Sequence, residues 1–204
     1  MKPQILLALS CVALLPACAG YKAQSLSRLQ PRQSVDLENE QVLFDSHVLN
    51  KHECEKYLGA NVLQAGYVPI QIAIRNQTDR ALMFSPDDIS LKTVPAEIVA
   101  ESVHDKTTNR IFGWGIPGLF IPVFLIPAIV DSVWSVEANK KMDNDYWNKE
   151  AQERILNPNA EVQGLIFVAK QDFSKHFDVV LTDIHSNERI VCSAHACNSP
   201  LQSI

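Results

Sequence analysis

The chain has 204 residues, of which 47% are hydrophobic and 20% charged, and its formal net charge is −5. An acidic balance of this kind speaks against a nucleic-acid partner and gives no electrostatic pull toward acidic lipid headgroups, so any membrane contact must come from attached lipid or apolar side chains. At the N-terminus, Lys2, an apolar run from Ile5 to Leu15 and small residues before Cys18 make up the three parts of a secretory signal. The run is about half the roughly 20 apolar residues that a spanning helix needs. Removal of residues 1–17 takes away Lys2 and no acid, which lowers the formal charge from −5 to −6. Residues 18–40 read as Cys18 followed by a polar tether, and residues 41–204, about 160 in number, suffice for one domain with a real core.

In chain order, Gln41 to Leu49 is a weak strand candidate, and Val68 to Ile74 places branched residues at every second position, the signature of a strand with one face in a core. Asn76-Gln77-Thr78-Asp79 supplies a turn. Ala81 to Phe84 and Ile89 to Leu91 read as two short strands parted by a turn at Ser85-Pro86-Asp87-Asp88. Val162 to Ala169, Phe177 to Leu181 and Arg189 to Cys192 complete the set. Six or seven short strands with tight turns and no helices among them predict a mainly β chain, an immunoglobulin-like antiparallel β-sandwich with a helical insertion over residues 95–156.

Within that insertion Thr93, Pro95 and Glu97 mark a helix start, with Ile98, Val99 and Val103 as its apolar stripe and Asn109 as its end. Trp134, Ala138, Met142 and Tyr146 fall at four-residue steps on one face of a second helix. Its other face carries the acid-before-base pairs Glu137 with Lys141, Asp145 with Lys149 and Glu150 with Arg154, until Asn157-Pro158-Asn159 stops it. Between the two helices, residues 111–130 contain no charged or polar side chain, although three glycines and Pro117, Pro122 and Pro127 interrupt them. Each internal proline costs a helix about 3 kcal/mol, so a straight lone membrane-spanning helix is disfavoured. A buried loop, an exposed knob that dips into a leaflet or another protein, and a bent hairpin in an oligomer all remain open. Trp114, Leu119, Phe120, Phe124 and Trp134 are the candidate membrane or partner contacts.

Leu15-Pro16-Ala17-Cys18 resembles the lipobox of bacterial lipoproteins, with Pro16 as its departure. The resemblance implies acylation of Cys18, cleavage on its N-terminal side and, since Ala19 rather than Asp follows, an outer-membrane destination in a Gram-negative cell, on the periplasmic face. After Cys18 the mature chain keeps Cys54, Cys192 and Cys197 in a compartment that permits disulfides. Pairing Cys54 with Cys192 or Cys197 would tie the two ends of the domain together, by roughly 4–5 kcal/mol if unstrained, and a Cys192–Cys197 bridge is the competing connectivity.

His52-x-Cys54 with Cys192-x-x-His195-x-Cys197 also offers soft ligands for zinc or copper, on the assumption of an extended chain where alternate residues face one way. Gly113 to Gly118 matches G-x-G-x-x-G in form only, since Pro117 removes a backbone donor that a phosphate cradle needs. No carboxylate pair, nucleophile elbow or metalloprotease motif points to catalysis, and no cofactor is expected.

The sequence therefore leads to the expectation of a non-catalytic structural or adaptor component of a cell-envelope assembly, lipid-anchored, with residues 111–130 as its contact to an envelope protein or a second copy. The alternative is a periplasmic metal- or redox-linked binding protein using Cys54, Cys192, His195 and Cys197. Replacing Cys18 with Ala should shift the protein from the membrane to the soluble fraction on cell fractionation; retention would show that lipid is not the sole anchor.

Overall fold

The computed structural model describes residues 21–31, 33–34, 42–104 and 125–196, with backbone alone at 33–34, 125–135 and 195. The chain divides into two compact units, residues 1–22 with 104–141 and residues 23–103 with 142–204. Every described strand lies in the second. In chain order these are β1 (Gln33–Ser34), β2 (Val42–Val48), β3 (Tyr67–Asn76), β4 (Leu82–Ile89), β5 (Arg154–Leu156), β6 (Glu161–Ala169), β7 (His176–Asp183) and β8 (Arg189–His195). Among the described residues three α-helices accompany them, α1 (Lys51–Leu58), α2 (Ala96–Val103) and α3 (Leu125–Lys149).

The strands form two four-stranded sheets in the orders β1-β2-β3-β6 and β5-β4-β7-β8, every pairing antiparallel. The mainly antiparallel β-sandwich that the alternating patterns predict is thus present. Alternation also assigns the faces. Phe44 meets Phe177 edge to face across the sandwich at 6.2 Å, and Phe44 pairs with Ile74, so Ile70, Ile72 and Ile74 of β3 point into the inter-sheet core. Phe177, Val179, Leu181 and Cys192 answer from the other sheet, all buried.

The opposite face of β3 is buried too, with Gln71 and Ala73 fully covered. Phe167 projects from that face beside β3, since it pairs with Pro69, and Tyr146 near the end of α3 stacks on it at 5.9 Å with the rings within 5° of parallel. The α1 helix packs on the same side, where Glu53 holds the His47 ring at 2.9 Å. Helix, sheet and sheet therefore make three layers, and the first sheet carries core on both faces.

Three local expectations are corrected. The two short strands expected at Ala81 to Phe84 and Ile89 to Leu91 are one strand, β4 (Leu82–Ile89), whose pairing with β7 shifts register between Phe84 and Ile89; Pro86 is tolerated there because β5 pairs only with Leu82 to Phe84. The second insertion helix ends at Lys149, so Glu150 and Arg154 are not a helical pair, and Arg154 instead starts β5. The first two pairs of that series do form, between Glu137 and Lys141 and between Asp145 and Lys149. A helix among the strands, α1, was not foreseen. Asn50 caps it by accepting from the Glu53 N–H while the Glu53 carboxylate accepts from the Asn50 N–H, and Gly59 ends it at φ 66°.

Asn76 welds the two sheets at one end of the sandwich. Fully buried, it donates from Nδ2 to Arg80 O at 2.7 Å and to Leu156 O at 2.9 Å, while its Oδ1 accepts from the N–H and hydroxyl of Thr78. Its backbone N–H reaches Ala160 O. Truncation to Ala leaves buried carbonyls and an N–H unpaired, which should lower unfolding free energy by about 3 kcal/mol. A denaturant midpoint unchanged in Asn76→Ala would show that the network contributes nothing.

Candidate functional site

The outer edge of β6 is where the long excursion between β4 and β5 leaves the sandwich and returns. On the way out, Thr93 bridges Val168 in antiparallel fashion and the Val94 N–H donates to Phe167 O at 2.8 Å. On the way back, Glu150 bridges Leu165 in parallel fashion and the Ala151 N–H donates to Leu165 O at 2.8 Å. Both legs thus satisfy backbone groups of a strand edge that would otherwise stand open. A residue with no side chain makes this approach possible. A Cβ on Gly164 would lie 2.7 Å from the backbone N and Cα of Ala151, too close to coexist with them.

Glu150 ties the outgoing leg to the returning one. Its Oε1 accepts from the N–H of Ala96 at 2.9 Å, capping the first residue of α2 with a carboxylate, the charge sign that a helix N-terminus favours. The two legs border a half-open cleft of about 310 Å³ lined by Pro86 and Asp87 of β4, Thr93 to Pro95, Glu150 to Gln152, and Ile166 and Phe167. Burial raises the Glu150 pKa above the usual carboxylate value, and the Ala96 N–H offsets only part of that.

Beneath α3, burial also raises the pKa of the Tyr146 phenol, whose hydroxyl has no hydrogen-bond partner among the described residues. Lys149 closes the arrangement with its ammonium on Tyr57 O at 2.6 Å and on the Asp145 carboxylate.

Of the residues singled out by sequence, Cys18, Trp114, Leu119, Phe120, Phe124 and Cys197 lie outside the described residues. Trp134 belongs to α3 and His195 to β8 by their backbones. His52 and Cys54 do not lie on an extended chain; they sit two apart on α1, where successive positions diverge, with His52 exposed and Cys54 buried. Cys54 is packed on the helix side of the first sheet and Cys192 in the inter-sheet core, so that sheet stands between them. Among the described residues no disulfide forms, which corrects the Cys54–Cys192 pairing.

The Cys54 thiol points to Leu49 O, and burial, with Glu53 and Glu55 nearby, pushes its pKa up to about 12. It is therefore a protonated thiol at neutral pH, whereas metals take the thiolate. Among the described residues no group of three or more His, Cys, Asp or Glu side chains could hold a metal ion, and no helix is long and apolar enough to cross a membrane.

Neither a family model, a curated protein nor a solved structure matches the chain. The geometry at β6 is thus what bears on function. Sequence reasoning missed both of its decisive residues, Glu150 and Gly164. A glycine inside an otherwise unbroken strand pattern was the one readable signal, since it marks a close backbone approach.

The folded-state pKa of Glu150 lies above its unfolded value, so the fold disfavours the ionised carboxylate. Stability linked to this group is complete below the unfolded pKa and lost as pH rises through the folded one. Glu150→Gln retains an oxygen for the Ala96 N–H and buries no charge. Its Tm should exceed that of the natural chain at about pH 8, the two converging near pH 4. A Gln variant melting lower at pH 8 would contradict burial as the dominant influence.

Proposed function

We propose that this protein is a lipid-anchored, non-catalytic adaptor of a cell-envelope assembly, held in the outer membrane through acylated Cys18 and facing the periplasm, with residues 111–130 as its contact element. The observation that carries this is the double rooting of the excursion on β6: a sandwich edge closed by both legs, with Gly164 spent on the approach of the returning leg and Glu150 joining one leg to the other. Fixing both ends of a contact segment on one strand edge reduces the entropy that the segment loses on meeting a partner.

The lipobox-like Leu15 to Cys18 and the absence of charge between residues 111 and 130 support the envelope setting. The sandwich itself we read as immunoglobulin-like. Counted from β2, its first, second and fifth strands (β2, β3, β6) share one sheet, its third, sixth and seventh (β4, β7, β8) share the other, and the short fourth, β5, lies beside the third. A metal- or redox-linked role for Cys54, Cys192, His195 and Cys197 has less support, because Cys54 is committed to packing beneath α1.

The test compares the mass of the complex holding the natural chain with that holding a chain lacking residues 111–130, after mild detergent extraction and crosslinking. A large assembly that falls to monomer on deletion, with the sandwich still folded by circular dichroism, is the expected result. A monomer in both cases would overturn the adaptor reading.

A further inference from the structure

Residues 23–31, polar in composition and read as tether, lie against the outer face of the first sheet. The Gln24 N–H donates to Lys56 O at 2.9 Å at the end of α1. Three residues on, Ser27 O accepts from the Nε2 of Gln71 at 2.6 Å, and Gln71 is fully buried. The Ser27 hydroxyl and the Lys56 ammonium hold the Tyr57 phenol below its ordinary pKa. Arg28 reaches Glu161 at 3.3 Å, and Arg75 binds the same carboxylate at 2.7 Å. Burial pushes the Glu161 pKa up, but the two guanidinium groups outweigh it and the net shift is downward. Pro31 is buried, and Gln33 and Ser34 then pair with Phe44 and Leu43 of β2. The segment is a strap running along β3 from its Tyr67 end to its Arg75 end.

This strap begins where the excursion is rooted. The carbonyls of Lys56 and Tyr57, adjacent in sequence, accept one from Gln24 and the other from Lys149. Phe167 and Val168, which hold the outgoing leg, pair with Pro69 and Val68 at the same end of β3. The docking also shortens the reach to Cys18. Six peptide steps from Cys18 to Gln24 extend at most about 20 Å, whereas a free chain up to Val42 would extend about 80 Å. The ten residues of β3 are themselves about 30 Å long. The strap is thus too short for the Asp79 end of the sandwich to approach the anchoring point unless it first comes off.

We propose that residues 23–31 are a docked strap that holds the α1 end of the sandwich against the leaflet carrying acylated Cys18, a phospholipid headgroup surface being the partner of that end. The proposal rests on the lipid-anchor reading above. It places the two roots of the excursion, at Val94 and Ala151, at the membrane-facing end of the sandwich.

The test uses the mature acylated protein in vesicles of phosphatidylethanolamine and phosphatidylglycerol, with a donor fluorophore at Glu55→Cys on α1 or at Asp79→Cys in the far turn, both in a Cys197→Ser background, and an acceptor on the lipid headgroups. Transfer from position 55 is expected to exceed that from position 79 several-fold. A flexible Gly/Ser insertion of about 20 residues between Tyr21 and Lys22 should abolish the difference. Equal transfer from both positions in the chain of natural length overturns the proposal, and so does a difference that survives the insertion in full. Mass spectrometry of the N-terminal peptide separates the two levels of failure. An unmodified Cys18 overturns the lipid-anchor reading and the strap proposal with it, whereas an acylated Cys18 with equal transfer overturns the strap proposal alone.

Discussion

The contact of Gly164 with the backbone of Ala151 is the constraint on which the arrangement turns. It lets the returning leg lie flat along β6, and that in turn places Ala151 N–H on Leu165 O and Glu150 within reach of the α2 N-terminus. Once both legs occupy the β6 edge, the end of α3 is fixed over Phe167, and Tyr146 covers the outer face of the first sheet. Without that cover, Phe167 and Leu165 would be large apolar side chains facing water instead of part of a second core. A methyl group at position 164 would therefore act on more than the strand that carries it, because the helix layer is positioned through the leg that it would displace.

A sheet buried on both faces also explains the polar groups found inside. Gln71 and Asn76 are both fully buried on β3, and each is used to join the strand to something that is not a strand: Gln71 to the strap, Asn76 to the turn at Arg80 and to Leu156. Buried amides of this kind are costly unless paired, and their pairing selects one placement of the partner segment over its neighbours. The Asn76-Gln77-Thr78 triplet has the form of a glycosylation acceptor, yet both amide hydrogens of Asn76 are already donated within the fold. Its side chain is structural.

The strands were legible because burial on at least one face imposes a period of two, and Val68 to Ile74 and Phe177 to Leu181 show it without interruption. What escaped was decided by backbone geometry or by distant partners. The α1 helix carries a weak apolar pattern, with Cys54, Tyr57 and Leu58 as its buried residues, so periodicity hid it; the Asn50–Glu53 capping box was there to be read and marks its start. The single strand β4 was split in two because Pro86 looks like a turn, although an edge position next to a register shift accepts it. The strap could not be seen at all. Alanine, glutamine, serine and arginine describe a tether equally well, and its docking depends on Gln71 and Glu161, which lie 44 and 133 residues away in sequence from Ser27 and Arg28.

That strap and the excursion share one corner follows from the order of the chain as much as from contacts. Residues entering the fold must reach β1 and β2 at one edge of the first sheet, and the excursion must leave from β6 at the other. Both could have emerged at opposite ends of the sandwich. Instead the carbonyls of Lys56 and Tyr57, left without helical partners at the end of α1, draw a donor from each. A helix C-terminus carries partial negative charge, so the Lys149 ammonium is held there by more than one hydrogen bond, and the neutral Gln24 N–H takes the neighbouring carbonyl. The short helix that sequence periodicity hid is thereby the element that holds the start of the strap, at Gln24, and the end of α3, at Lys149, at the same corner of the sandwich.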